Sequence, residues 1–310
     1  LNYAVGIDIG GTKVAMAVVD EAGSMLAHHV IPMDLSIQPT AMLDRICDEV
    51  TMLVAKSKVT WDAILGIGIG APGPLDINKG EITCPPNLPS WQNISIVAYM
   101  KSHFSKPIIL ENDANAAALA EKWLGAAQGE DHFIYLTIST GIGAGIFCDG
   151  KLLHGHKGNA GDIGHGVMDP SFGPCSCGQT GCLESIASGT AIAKRGSAIM
   201  GEELTAKEIF ELYFDGNTKI FLFIQRVFDV IGAACVSLIN TFDAEKIVIG
   251  GGVTQVGDAL FEHVQSYVSN YALNPSGRET KVVPAGLAQH AGVIGAAALC
   301  LDVSKNQLQK

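Results

Sequence analysis

Three cysteines, Cys175, Cys177 and Cys182, fall in one Gly/Pro-rich segment with His165 just upstream. Three thiolates and one imidazole complete a tetrahedral zinc shell and leave no position for a reacting water, so the set predicts a structural metal. The segment carries too little apolar content to fold without such a brace. A thiol redox role is the rival reading. It fits less well, because the spacing is Cys-x-Cys with a third cysteine beyond, not Cys-x-x-Cys before a helix. Cys47, Cys84, Cys148, Cys235 and Cys300 are scattered in apolar contexts and read as small core residues.

Two glycine turns could hold phosphate. In GIDIGGTK, Gly6 and Gly11 have P-loop separation, but the following order is Thr12-Lys13 and the next residues, VAMAVVD, are a β-branched strand. A P-loop needs a helix N-terminus there, so that reading fails. A strand–turn–strand can still cradle phosphate through successive backbone N–H groups, with Thr12 and Lys13 as further donors. The plain alternative is a β-hairpin turn. LTISTGIGAGIF repeats the theme with Thr140, Gly141, Gly143 and Gly145. A literal G-x-G-x-x-G at Gly68, Gly70 and Gly73 is rejected as a dinucleotide site, since Pro72 and Pro74 block the helix it requires.

Glu111-Asn112-Asp113 lies where an apolar strand meets an Ala-rich helix. Asp113 reads either as the helix cap or as a carboxylate at a strand end that accepts a proton from a substrate hydroxyl; the two are compatible.

The elements that must carry these groups alternate. Strands are predicted over Tyr3–Ile9, Val14–Val19, Met25–Pro32, Ile64–Ile69, Ile108–Leu110, Phe133–Ile138, Lys246–Ile249 and Val282–Pro284. Helices are predicted over about 40–56, over the Ala-rich run after Asp113 to Leu124, over 192–199, 206–213 and 221–240, and from about Gly292. The order predicts α/β layers, and the chain has two similar halves that each open strand, glycine turn, strand. No low-complexity linker parts them, so two domains closing on a cleft are expected.

Composition narrows the function. With 310 residues, 48% hydrophobic and 16% charged, the chain is globular and long enough for two cores. A net charge of −11 disfavours an electrostatic nucleic-acid binder but leaves phosphate binding by backbone amides open. No signal peptide is read at the N-terminus, and Phe221–Leu238, interrupted by Gln225, Arg226 and Asp229, reads as a buried helix; a cytoplasmic protein is expected.

The two glycine hairpins, with GGGV at 250–253, resemble the paired phosphate loops and adenosine loop of the actin-like (ribonuclease H-like) ATPase superfamily. Within it, the chain resembles the ROK family of sugar kinases and transcriptional repressors from Gly6 to about Leu299. The carriers are GIDIGGTK, GIGAPGPLD, PPNLPSW, ENDANAAALAE, ISTGIGAGI, AGDIGH, CSCGQTGCLE, IVIGGGV and AGVIGAAAL.

The resemblance implies two actin-like α/β domains around an ATP and sugar cleft. The smaller would span 1–112 and be rejoined by a helix over 292–310; the larger would span 113–291 and carry the zinc loop 165–182. Domain closure would exclude water. Asp113 would be general base on a hexose 6-hydroxyl, with Asn87, Asn112, Asp162, His165 and Glu184 holding the sugar. Asp8 would place Mg²⁺; Gly10, Gly11, Thr12, Lys13, Thr140, Gly141, Gly251 and Gly252 would hold ATP. His165, Cys175, Cys177 and Cys182 would hold zinc, and a homodimer or tetramer is implied.

Glucose kinases of the family usually carry Glu-x-Gly-His where this chain has Asp162-Ile163-Gly164-His165, a carboxylate about one methylene shorter. That departure leaves the sugar identity open, particularly at the anomeric and 2-positions; the resemblance implies a glucose-type hexose first and N-acetylmannosamine second, the latter through GKLLHG and FGPCSCG. Fructose, allose and mannose are further options. A sugar-responsive repressor is less expected, because the phosphate turn starts at Gly6 and no helix-turn-helix module is read before it. A catalytically silent sensor is disfavoured by the intact glycine turns and Asp113.

Overall fold

The computed structural model describes residues 1–301. Backbone contacts divide the chain into two units with separate cores. One takes residues 1–128, 152–160 and the chain from Gln289; the other takes 129–151 and 161–288. The expected boundary at 112/113 falls inside the first unit, so Asp113 and its helix belong with the N-terminal strands. Of the expected closing helix over 292–310, residues 302–310 lie outside the described residues.

The first unit is built on a mixed sheet of order β3-β2-β1-β4-β7. Its strands are β1 (Tyr3–Ile9), β2 (Lys13–Asp20), β3 (Met25–Pro32), β4 (Ile64–Ala71) and β7 (Ile108–Asn112). Between β4 and β7 a small antiparallel pair, β5 (Leu75–Asp76) and β6 (Glu81–Ile82), stands apart. β1, β4 and β7 are parallel, while β2 and β3 return antiparallel. β1 is covered on both faces, which is why YAVGIDI is nearly continuous in apolar residues. Edge strand β3 instead alternates, its inward positions half-buried (Ile31 fully buried) and its outward ones exposed.

Three helices, α1 (Pro39–Ser57), α2 (Ile96–Lys101) and α3 (Asp113–Leu124), join this unit. α1 starts on Pro39, buries the stripe Met42, Leu43, Ile46, Val50, Leu53 and Val54, and stops at Lys58 with φ 61°. A final helix, Ala291–Ala298, packs against α3 and against β1 and β4. Its Gly/Ala composition follows from backbone-to-backbone approach. A Cβ on Gly295 would stand 1.7 Å from the Ala116 carbonyl oxygen, and one on Gly6 2.1 Å from that of Val293. Gly68 is equally constrained, 1.7 Å from the Ala296 carbonyl oxygen. The Gly68/Gly70/Gly73 pattern therefore serves helix packing at Gly68.

The second unit has a sheet of order β10-β9-β8-β11-β12. Its members are β8 (Phe133–Ile138), β9 (Ile142–Cys148), β10 (Lys151–Leu152), β11 (Lys246–Gly250) and β12 (Lys281–Pro284). β8 and β9 form the second antiparallel glycine hairpin, and β8, β11 and β12 run parallel. The helices are α4 (Leu183–Ala187), α5 (Gly189–Met200), α6 (Ala206–Phe214), α7 (Thr218–Phe242) and α8 (Asp258–Tyr271). α7 is long and apolar enough to cross a membrane, but 67% of its most apolar window is buried. It is the core helix of this unit, against which α4, α6 and α8 pack. α8 was not anticipated.

Candidate active site

In the first unit, parallel β1, β4 and β7 end on one edge of the sheet, and the expected groups gather there. After β1 the chain turns tightly, with the Gly10 N–H donating to the Lys13 carbonyl oxygen at 2.9 Å. Gly11 lies against Asn87, whose Cβ and carbonyl oxygen would be 3.2 Å from an added Cβ. Thr12 and Lys13 are exposed at the turn. Asp8, near the end of β1, keeps only partial solvent access beside Gly292, where the final helix begins. Burial raises its carboxyl to about 6, opposed by the Lys13 ammonium.

Asp8 pairs with Gly70, and Gly70 with Glu111, so the three share a row across β1, β4 and β7. Gly70 leaves room for Asp113, whose Cα would be 3.6 Å from a Cβ there. The cap of α3 is Asn112: its Oδ1 accepts from the N–H of Ala114 at 2.9 Å and of Asn115 at 3.2 Å. Asp113 is the first helical residue, and its Oδ1 accepts from Ala114 N–H at 2.8 Å.

Sequence reasoning gave no role to Glu111 itself. Its side chain is 4% exposed, yet both oxygens are engaged. Oε1 accepts from the Asn112 N–H and from Asn115 Nδ2, each at 2.9 Å, and Oε2 meets His154 Nε2 at 2.8 Å. That carboxylate draws the His154 imidazole pKa above its ordinary value, against the pull of burial. His154 sits on the strap 152–160, which is bound to the first unit at further points. Asn159 makes two hydrogen bonds to the Leu75 backbone, at 2.7 and 2.8 Å, and Lys157 pairs with Asp76 at 3.2 Å.

In the second unit, Asp162, His165 and Glu184 come together with the cysteines. The segment 161–164 lies on β9: a Cβ on Gly161 or Gly164 would stand 2.1 Å from the carbonyl oxygen of Ala144 or Ile142. Burial raises the Asp162 carboxyl above its usual range; His165 opposes this and the Glu184 charge adds to it. Glu184, in the first turn of α4, accepts from the Ile142 N–H at 2.8 Å.

The ligand atoms of His165, Cys175, Cys177 and Cys182 all lie within 4.8 Å of one another. Cys175 Sγ is 3.7 Å from His165 Nδ1, and the Cys177 and Cys182 sulfurs are 3.6 Å apart. Zn–S bonds of about 2.3 Å in a tetrahedron place sulfurs about 3.8 Å apart, so the four residues fit zinc. The Gln179 backbone N–H draws the Cys177 thiol down to about 7, while burial pushes Cys182 up. The loop is fastened to helices: Arg226 of α7 pairs with Asp169 at 2.6 Å, and Arg195 of α5 donates to the Phe172 carbonyl oxygen at 2.8 Å.

A cavity of about 620 Å³ opens in the second unit beside Thr140, the start of α5 and Gly252. Thr190 Oγ1 donates to the Thr140 carbonyl oxygen at 3.0 Å, and Gly189 N–H donates to that of Ser139 at 2.7 Å. Phe210, Phe214, Lys207 and Glu211 of α6 complete the wall, residues no motif pointed to. Gly251 packs on β8 instead, its added Cβ 2.3 Å from the Ile138 carbonyl oxygen, and neither it nor Gly141 lines the cavity.

The family model for the ROK family matches residues 4–303. The chain belongs to the ROK family. A glucokinase from Halalkalibacterium halodurans is 33% identical, over 100% of this ROK chain and 98% of the relative. A ROK family glucokinase from Streptomyces griseus, solved in complex with glucose and AMPPNP, superposes with a TM-score of 0.81 at 30% identity, covering 96% and 99% of the two chains. A xylose repressor from Caldicellulosiruptor bescii is 29% identical over 96% of this chain and 78% of its own. The ROK family thus holds both catalysts and regulators related to this chain.

Proposed function

We propose that this ROK protein is a sugar kinase that transfers the γ-phosphoryl of ATP to the 6-hydroxyl of a hexose, glucose first. The observation that carries the reading is the shared sheet edge in the first unit, where Asp8 near the end of β1, the Gly10–Lys13 turn after it and Asp113 after β7 gather at the ends of parallel strands. The turn offers backbone N–H groups and the Lys13 ammonium to phosphate oxygens, which bear the charge of a loose phosphoryl-transfer transition state. Asp113 accepts the proton of the 6-hydroxyl as its oxygen bonds to the γ-phosphorus; the bond to the β,γ-bridging oxygen breaks and ADP leaves.

In the second unit the cavity beside Thr140 and Gly252 suits adenosine, with the N-terminus of α5 at its wall favouring anionic groups. The AMPPNP complex of the Streptomyces griseus relative supports ATP as the nucleotide. Asn87, Asn112, Asp162, His165 and Glu184 hold sugar hydroxyls in this reading; with its Oδ1 engaged at the cap, Asn112 serves through its amide N–H. Asp8, whose carboxyl burial raises to about 6, would hold magnesium, which would supply positive charge to neutralise phosphate oxygens. His165, Cys175, Cys177 and Cys182 would hold zinc, which would make a rigid mount for His165 and Glu184.

N-acetylmannosamine is the second substrate reading, resting on the resemblance of GKLLHG and FGPCSCG to N-acetylmannosamine kinases of the family, while the short carboxylate of Asp162 leaves the choice of sugar open. A coupled ADP-release panel over glucose, mannose, fructose, allose, N-acetylglucosamine and N-acetylmannosamine tests both. Glucose is expected to turn over fastest. Turnover of N-acetylmannosamine alone would select the second reading, and sugar binding with no ADP release from any of them would make the protein a sensor.

A further inference from the structure

The start of α3 carries more polar machinery than a helix cap needs. Asn112 already caps it, yet Glu111, nearly fully buried at the end of β7, follows the buried apolar Ile108 and Leu110. A buried carboxylate is costly unless every lone pair is served, and an apolar residue of similar volume would fill the space at lower cost. Here three donors serve it: the Asn112 backbone, the Asn115 amide and the His154 ring. Asn115 makes its bond to Glu111 at the expense of its other end. Among the described residues, Asn115 Oδ1 is a buried side-chain oxygen left without a hydrogen-bond partner. The carboxylate's geometry is kept while another group goes unsatisfied, as occurs where position matters to function.

Two of the groups that Glu111 holds flank Asp113 in the chain. With the backbone of Asn112 fixed on one side and the side chain of Asn115 on the other, the first turn of α3 has one orientation. His154 in turn holds the opposite oxygen of Glu111 and stops that carboxylate from rotating. It comes from the strap 152–160, so this clamp spans a long stretch of sequence.

We propose that the Glu111–His154 pair is a positioning device for the base: His154 orients Glu111, and Glu111 aims Asp113 by fixing Asn112 and Asn115. The inference rests on Asp113 being the base. A base displaced by a fraction of an ångström loses rate without losing substrate affinity. The pair therefore acts mainly on kcat and leaves the KM for ATP alone; the KM for sugar moves less than kcat does, because Asn112, which holds sugar in the proposed function, is fixed by the same carboxylate.

The test compares His154→Phe and His154→Asn, which remove or withdraw the donor, with His154→Gln, which returns an N–H on a longer arm. Each is purified as the full chain, checked by thermal melting, and assayed for ADP release beside Asp113→Asn. The Phe and Asn variants are expected to lose about tenfold in kcat, with the KM for ATP within twofold of wild type and the KM for sugar changed by less than kcat. Gln is expected to recover kcat to within about threefold. Should the Phe variant not fold, the Asn and Gln pair carries the comparison. Wild-type kcat in the Phe or Asn variant, a loss confined to KM, or no recovery with Gln would overturn the proposal. Near-normal turnover by Asp113→Asn would overturn the base assignment itself, and the positioning role with it.

Discussion

Asp8, the residue proposed to hold magnesium, carries a charge that burial makes costly. Its carboxyl rises from 3.8 to about 6 because burial disfavours the charge more than Lys13 supports it. In the unfolded chain it titrates near 3.8, so between about pH 4 and pH 6 the folded state holds the extra proton. Stability from this group is therefore fully present below about pH 4 and is lost as pH rises through about 6. Two pKa units correspond to about 3 kcal/mol, and the partial solvent access of Asp8 brings the expected penalty above pH 7 to about 2 kcal/mol. Asp8→Asn keeps the shape and removes the charge. Thermal melts of both proteins from pH 4 to pH 9, without nucleotide or divalent ions, should show the variant melting several degrees higher above pH 7. The two should converge near pH 4, while the variant loses magnesium-dependent turnover. A difference that does not vary with pH, or a wild type that is the more stable protein at pH 8, would refute the reasoning.

Two further expectations test packing and metal separately. Gly68→Ala would drive a Cβ to 1.7 Å from the Ala296 carbonyl oxygen and should destabilise the first unit by about 3 kcal/mol in urea melts, whereas Gly252→Ala, with nothing within 4 Å, should leave stability unchanged. Elemental analysis should find one zinc per chain, absent in Cys177→Ser, and calorimetry should show that variant weakened for sugar more than for ATP. An unchanged sugar Kd would make the metal loop a structural feature alone.

The elements that were legible are those whose side chains announce their surroundings. Apolar runs closed by glycine marked both hairpins, and the stripe from Met42 to Val54 marked α1. α8 was harder to read, because Leu260, Val264 and Val268 form a single narrow stripe among Glu, His, Gln, Ser and Asn. The boundary at 112/113 followed the strand end, but α3 is held to the final helix through Gly295, a contact between distant residues. The cluster of His165, Cys175, Cys177 and Cys182 was legible because its members lie close in sequence. The strap was not: Asn159 bonds to Leu75 across 84 positions, and His154 finds Glu111 across 43. Nor could local pattern separate cap from acid at 112 and 113, since Asn and Asp cap equally well. Only the hydrogen bonds of Asn112 assign the cap.

The central claim is that Asp113 takes the proton from a hexose hydroxyl while the rest of the site binds substrates. The most direct measurement pairs ADP release by Asp113→Asn with a calorimetric Kd for the preferred sugar. The account predicts turnover reduced by at least a thousandfold with the sugar Kd within about threefold of wild type. Turnover within tenfold of wild type would contradict it.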